Sequence, residues 1–445
     1  MVASAVCLAL IGHDRGIRWS DLPFLFFLAL ALVYLEISPS LALVGKSLPL
    51  IEQRASHYIR LQIALFIAFV LPLVGGYGWR RPRAPADEWP RETTRLTSMV
   101  WDVLLVMVAL VRLAIAWRYD FWRLRVGDAV VEKTGAAPFV IYSLFRLVVE
   151  AQLPLVTVAA LRIGRMRTFI ARAAFGFFLL VQLGFALLNS RFSILYLFIA
   201  AVFGLAIARR PAIRIDRRVR RIAILSLISV YGLGLAVLQL RASTADRSVA
   251  IGSVSLNVLA DQQGVNRFNC VDLLAQIAPF QGNGVAGPGI WEGQLWNFKR
   301  FVDPAGFAAF RESLVTSGKS HLILKYLGQR QSDYYSCMLT DGFGALGLWG
   351  AVGLGLVCGL LLRTARALTE SSGLAWMFAG VWLAWQVLVF EQEAGSLLFS
   401  WPLRVPILIG LLITAHHMTV RAASSTRRAR SRDLHRSAPG IGQPS

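Results

Sequence analysis

Arginines that interrupt long apolar stretches are the first candidates for chemistry in this sequence. Arg191 follows Asn189 and Ser190 between two apolar stretches, and Arg267 precedes Asp272 further along the chain. Arginine stays charged and offers a planar fork of donors, which suits a phosphate or a diphosphate. The alternative for Arg191 is a helix-end arginine that reaches lipid phosphates. The alternative for Arg267 is an ordinary Arg–Asp pair that caps a short helix.

Three carboxylates, Asp272, Asp333 and Asp341, and one histidine are candidates for a general base. Asp272 follows Arg267, and Asp333 lies in the polar segment that leads into an apolar stretch. A carboxylate in such a position can accept a proton from an attacking hydroxyl, although a helix N-cap is the alternative for Asp333. A histidine side chain generally titrates near neutral pH, so His321 suits either a base or an ordinary surface position.

Charged residues also occur within the apolar stretches. Arg146 and Glu150 are one helical turn apart and can pair, and Arg404 lies within the last apolar stretch. Charges at such depth are costly and tend to face a cavity or a partner. Arg146 and Arg404 are therefore candidates to line a substrate path. Glu36 and Asp102 equally suit a transporter, and Asp102, near the end of its stretch, is expected to reach water.

The segment Gly342–Gly347 matches G-x-G-x-x-G, the pattern of dinucleotide-binding loops. No βαβ pattern surrounds it, so we reject a nucleotide site. Small residues continue after it, which predicts close helix packing within lipid. The further glycines are Gly350, Gly353, Gly355 and Gly359.

Composition places the chain among membrane proteins. Of its 445 residues 56% are hydrophobic and 16% are charged, far less charge than a soluble domain of this size carries on its surface. The net charge of +21 would suggest nucleic acid in a soluble protein. Here most arginines lie between apolar stretches, as the positive-inside rule requires, so we expect no nucleic-acid partner. Four cysteines without a C-x-x-C pattern and six scattered histidines predict no metal site, and we expect no cofactor.

Ten apolar stretches approach the length of about 20 residues that a helix needs to cross a bilayer. The sequence therefore predicts an all-α polytopic membrane protein with about 10–11 transmembrane helices, the eleventh depending on the short apolar segment Met1–Ile11. The predicted spans are Pro23–Val44, Tyr58–Gly78, Ser98–Trp117, Ala137–Leu161, Phe169–Leu188, Phe192–Ala208, Ile222–Leu240, Phe343–Leu362, Leu374–Phe390 and Leu397–His417.

Clusters of arginine predict the orientation of these spans. The clusters at 80–83, 162–167, 209–221, 363–366 and 421–436 all fall on one side, which we expect to be cytoplasmic. The opposite side then holds the turn at Asn189–Arg191 and one large extracytoplasmic loop. We expect four regions: N-terminal transmembrane helices in 1–240, the extracytoplasmic loop or cap in 241–339, C-terminal transmembrane helices in 340–420, and a disordered basic cytoplasmic tail in 421–445.

The order of these features resembles the O-antigen polymerase (Wzy-like) and oligosaccharide repeat-unit polymerase families. The resembling parts are Asn189-Ser190-Arg191 before a span, Asn266-Arg267 with Asp272 after a further span, and residues 332–350 at the exit of the loop. Related O-antigen ligases look similar but tend to carry a His-Asn pair where this chain has Ser332-Asp333. That departure weighs against a ligase.

The resemblance implies a GT-C-like membrane glycosyltransferase of a bacterial inner membrane. It would polymerise oligosaccharide repeat units carried on undecaprenyl diphosphate into a surface polysaccharide at the outer face. The implied partners are the lipid-linked oligosaccharide, membrane lipids and a chain-length regulator. The alternatives are an O-antigen ligase-type transferase and a membrane transporter or flippase, and no internal repeat favours the latter. The expected catalytic residues are Arg191, Arg267, Asp272 and Asp333, and the expected substrate-binding residues are Arg146, Arg404 and His321.

Overall fold

The described part of the protein is a bundle of α-helices. The computed structural model describes residues 19–43, 55–78, 95–119, 138–162, 168–189, 191–208, 337–370 and 374–388, and the single positions 274, 409, 410, 413 and 417. Eight of the ten predicted spans fall on these ranges and are helical. The predicted span Ile222–Leu240 lies outside them, and Leu397–His417 is described at only four positions.

The helices follow the apolar stretches closely. A short 3-10 turn, Trp19–Asp21, leads into the first helix, and the second contains a π-helical segment at Phe66–Val70. The helices are α1 (Leu22–Leu43), α2 (Ala55–Leu65, the π segment, and Leu71–Tyr77), α3 (Arg95–Tyr119), α4 (Pro138–Arg162), α5 (Phe169–Asn189), α6 (Arg191–Ala208), α7 (Met338–Leu346), α8 (Leu348–Thr369) and α9 (Leu374–Leu388).

Four helices in the described part are long and apolar enough to cross a membrane. They contain the segments Arg60–Tyr77, Met99–Arg118, Phe169–Ala186 and Leu348–Thr369. Helix α3 shows how such a helix divides its surface. Met99, Val103, Met107 and Leu110 recur every three or four residues and are exposed on one face. A wholly apolar exposed face is unfavourable in water and favourable against lipid.

Helix α8 packs most closely against α2, and glycines bring the two backbones together. A Cβ atom on Gly355 would overlap the backbone carbonyl of Phe69, and one on Gly359 would lie 2.8 Å from the amide nitrogen of Tyr77. The prediction of close packing is confirmed for Gly350, Gly355 and Gly359. It is wrong for Gly353, because nothing lies within 4 Å of a Cβ atom built there.

The predicted span Phe343–Leu362 is wrong as a single helix. Gly347 has φ 61° and ψ −142°, which ends α7 and starts α8. Gly342 of α7 lies against Gly350 and Leu354 of α8, so α7 folds back along α8 as a helical hairpin. Phe343 therefore belongs to the folded-back helix.

The same span also ends later than predicted. Helix α8 continues to Thr369, so Arg363 and Arg366 lie on its last turns and do not form a loop. Thr364 and Thr369 donate hydrogen bonds to the carbonyls of Leu360 and Ala365, one turn earlier. Polar residues at a helix end can thus remain helical while the apolar pattern has already stopped.

Replacing Gly347 with alanine is expected to destabilise the hairpin of α7 and α8. Its φ and ψ lie in a region that residues with a side chain rarely adopt, and such strain costs about 1–3 kcal/mol. The measurement is the free energy of unfolding in mixed micelles, with Gly353→Ala as the helical control. A loss no larger than that of Gly353→Ala would contradict the assigned backbone conformation.

Candidate functional site

Helices α3 and α4 run in opposite directions and share two polar contacts. The Arg162 guanidinium lies 3.0 Å from Oδ1 of Asp102, and Arg112 donates from Nη1 to the side-chain oxygen of Gln152. Ten residues separate the contacts on each helix, which is about 15 Å of helix axis. The expectation that Asp102 reaches water is wrong, because its side chain is 14% exposed and paired with Arg162.

Helices α4 and α6 run in the same direction. Gly204, near the end of α6, lies against the backbone of Thr157 and Leu161, near the end of α4. The two helices are in contact over a long distance. Because α4 ends at Arg162, opposite directions would carry most of α6 beyond it. Parallel packing is therefore the arrangement that fits both observations.

This packing brings two of the predicted arginines to the same level. Arg191 starts α6 and lies thirteen residues before Gly204, which is about 20 Å along the helix. Arg146 lies fourteen residues before Ala160, the α4 residue that Gly204 approaches, or about 21 Å. We call this end of the bundle, where Arg191 and Arg146 lie, the Arg191 end.

The opposite end of the bundle is held by a charged network. Asp21 accepts a hydrogen bond of 2.5 Å from the Tyr77 hydroxyl and an ion pair of 3.1 Å from Arg366. Arg366 also contacts Glu370 at 3.2 Å, and the Ser20 hydroxyl donates to the same Glu370 oxygen at 2.8 Å. This network joins the 3-10 turn before α1 to the ends of α2 and α8. We call the end of the bundle where it lies the Asp21 end.

A small cavity of about 20 Å³ lies beside the Asp21 network. Ser20, Arg366, Thr369, Thr157 and Trp385 are among its lining residues. Their polar groups already have partners within the bundle. Thr157 accepts from the Trp385 indole at 3.3 Å, and Thr369 donates to backbone carbonyls of its own helix. Among the described residues that line it, no polar group therefore requires a ligand.

A second polar cluster lies on the side of the Arg191 end. Arg112 of α3 is 5% exposed and donates from Nη1 to the side-chain oxygens of both Gln152 on α4 and Gln182 on α5. Its guanidinium lies over the ring of Phe185, 4.1 Å from the centroid. Gln152 follows Arg146 by six residues on α4, so the cluster is about 9 Å closer to the middle of the bundle.

The structure describes the other predicted site residues only in part. Arg191 and Arg146 are placed on their helices, but their side chains lie outside the described part, as does that of Glu150. Arg267, Asp272, Asp333, His321 and Arg404 lie outside the described residues. Within the described ranges, no three His, Cys, Asp or Glu residues are grouped to hold a metal ion.

Arg112 and Asp21 are not among the site residues that the sequence predicts. Arg112 stands alone in the apolar stretch of α3, and it lies on the same helical face as the buried residues Trp101, Leu105 and Ala109. That spacing could have predicted a polar site, because a single charge on the face that packs against other helices needs polar partners. Asp21 gave no such signal, since it directly precedes an apolar stretch and looks like an ordinary helix start.

The helices and their exposed apolar faces define an α-helical membrane protein. Comparison with family models, with curated proteins and with solved structures finds no match to this chain.

Proposed function

We propose that this protein is a membrane glycosyltransferase that polymerises oligosaccharide repeat units carried on undecaprenyl diphosphate. The observation that carries the proposal is the common level of Arg191 and Arg146 at one end of two packed helices. Arg191 can stabilise the charge on a diphosphate leaving group without a metal ion, because a guanidinium fork matches phosphate oxygens, and Arg146 at the same level can hold the substrate.

The proposed orientation places the Arg191 end outward. The segments that follow α2, α4 and α6 leave the Asp21 end and contain the arginine clusters at 80–83, 162–167 and 209–221. A cytoplasmic Asp21 end follows from the positive-inside rule. In this arrangement the protein spans a bacterial inner membrane about 10–11 times in a GT-C-like fold, with 241–339 periplasmic and the C-terminus cytoplasmic.

The proposed catalytic segments are anchored in the helical core. Leu274 is fully buried in the apolar core and follows Asp272 by two residues. Cys337, Met338 and Leu339 are buried in the same core, and Asp333 precedes Cys337 by four residues. These anchors support a site in which segments of 241–339 join the transmembrane helices at the Arg191 end.

In the proposed reaction the acceptor hydroxyl attacks the sugar carbon linked to the diphosphate. Asp272, Asp333 or His321 takes the hydroxyl proton as the glycosidic bond to the leaving group breaks. Arg191 and Arg267 stabilise the charge that develops on the diphosphate, while Arg146 and Arg404 hold the substrate. The polyprenyl chain lies against the apolar helix faces. A chain-length regulator is the proposed protein partner.

The test of the proposed function is deletion of the gene in its native host, followed by gel separation of the surface glycans. A polymerase predicts loss of the long ladder and retention of one repeat unit on its acceptor. Loss of every attached unit, with lipid-linked polymer accumulating, would instead identify a ligase. An unchanged ladder would overturn both.

Replacing Arg191 with glutamine is expected to abolish the ladder when the variant is returned to the deletion strain. Removing one fixed charge that acts on a leaving group typically costs a factor of about 10² to 10³ in rate. Arg60→Gln is the matched control, because Arg60 is exposed on α2. Membrane fractions must contain both variants in equal amounts. A normal ladder from Arg191→Gln would remove Arg191 from the mechanism.

One observation favours a transporter as the second candidate. Helix α7 breaks from α8 at Gly347 and folds back so that its first residues are buried in the core. Discontinuous helices that enter the bundle are typical of substrate sites in transporters. A transporter predicts accumulation of unpolymerised lipid-linked units on the cytoplasmic side after deletion, whereas a polymerase predicts them on the outer side.

A further inference from the structure

We propose that Arg112, Gln152 and Gln182 form a buried binding site for a phosphoryl group. The inference goes beyond the proposed glycan polymerisation, because it concerns a site inside the bundle and does not require any reaction there. The three side chains come from α3, α4 and α5, so the site exists only where these helices meet.

Within the described part of the bundle, the buried charge of Arg112 is uncompensated. Arg112 is almost fully buried, and among the described residues no carboxylate pairs with it, unlike Arg162 and Arg366. Glutamine oxygens satisfy hydrogen bonds but carry no net charge. A buried guanidinium without a counter-charge is costly, and within a membrane bundle such a residue is typically functional.

The unpaired atoms of the cluster indicate which kind of group fits beside them. Arg112 uses Nη1 for both glutamine oxygens, while its Nε has no partner among the described residues. The side-chain nitrogen of Gln182 is also buried without a partner there. Both unpaired atoms are donors, so the missing group must be an acceptor. An anion supplies the acceptor oxygens and the charge together.

The unpaired donors come from two side chains, so the bound group needs several acceptor oxygens. An anion beside the Nε edge of the guanidinium can accept hydrogen bonds from that edge of Arg112. The side-chain nitrogen of Gln182 is a further donor from a separate helix. A phosphoryl group has enough oxygens to accept from both. Phe185 covers the guanidinium face at 4.1 Å, which leaves the edge as the direction of approach.

On α3 the cluster lies closer to the Arg191 end than to the Asp21 end. Arg112 lies six residues before Arg118, where the membrane-crossing segment of α3 ends, or about 9 Å of helix axis. A free phosphate or the head of a lipid can both supply a phosphoryl group at this depth.

The test is thermal unfolding of the full-length protein with and without a phosphoryl ligand. The probes are inorganic pyrophosphate added to detergent micelles, and phosphatidic acid added to phosphatidylcholine nanodiscs. A ligand that binds only the folded state raises the melting temperature in proportion to its occupancy. Stabilisation by pyrophosphate indicates a soluble ligand, and stabilisation by phosphatidic acid alone indicates a lipid head.

Gln182→Leu is the first variant, because it removes one of the unpaired donors and leaves no charge behind. We expect its apparent affinity for the active probe to fall at least tenfold, and that of Arg112→Gln to fall further. Gln386→Leu is the control, since Gln386 is a buried glutamine on α9 outside the cluster. Two outcomes would overturn the proposal: neither probe stabilises the wild type, or Gln182→Leu binds like Gln386→Leu.

Discussion

Replacing Asp21 with alanine is expected to destabilise the folded protein by about 3–5 kcal/mol. Asp21 is the common acceptor for the Tyr77 hydroxyl at 2.5 Å and for Arg366 at 3.1 Å, and its side chain is only 6% exposed. Its loss leaves a mostly buried guanidinium and a buried hydroxyl without that acceptor. A folded protein is stable by about 5–15 kcal/mol in total, so the loss is a large fraction.

Glu370→Gln is the matched control for this change. Glu370 contacts the same arginine at 3.2 Å, but its side chain is 38% exposed, and exposed ion pairs contribute about 0–1 kcal/mol. The measurement is unfolding by SDS titration in mixed micelles, followed by tryptophan fluorescence. Equal losses from the two variants would show that burial does not set the contribution of Asp21.

The helices themselves could largely be predicted from the sequence. Apolar length alone predicted eight spans that the structure describes as helical, because a helix satisfies its backbone hydrogen bonds within one segment in lipid. The predicted span at Phe343–Leu362 was wrong because backbone conformation, and not polarity, determines where its helix breaks. The break at Gly347 lies inside an unbroken small and apolar stretch, so no change in hydropathy marks it.

The polar contacts could be predicted less well, for a physical reason. An arginine near the end of an apolar stretch looks the same whether it enters a loop or pairs inside the bundle. The sequence pattern predicted Arg162 and Arg366 in basic loops. In the structure each pairs with a carboxylate from another part of the chain, Asp102 and Asp21 respectively. Pairing depends on the direction and register of neighbouring helices, which a single sequence does not contain.

Substituting alanine for Gly355 is expected to separate α8 from α2 and to cost about 2 kcal/mol or more in stability. The added Cβ atom would overlap the carbonyl oxygen, carbonyl carbon and Cα of Phe69. All three are backbone atoms, so no side-chain rotation relieves the overlap, and overpacking of this kind typically costs about 1–3 kcal/mol. The separation would also disturb Tyr77 and Arg366, which lie further along the same two helices.

Gly353→Ala is the control, because it adds the same methyl group two residues earlier on α8 where nothing lies within 4 Å. Alanine favours a helix over glycine by up to about 1 kcal/mol, so this variant should be neutral or slightly stabilised. The measurement is again SDS titration of both variants against the wild type. A similar loss in both would mean that helix α8, and not its contact with α2, is sensitive to the added methyl group. A loss in Gly355→Ala but not in Gly353→Ala would establish that the close approach of these two backbones stabilises the bundle. Gly359→Ala should then behave like Gly355→Ala, because its Cβ atom also meets backbone atoms of α2.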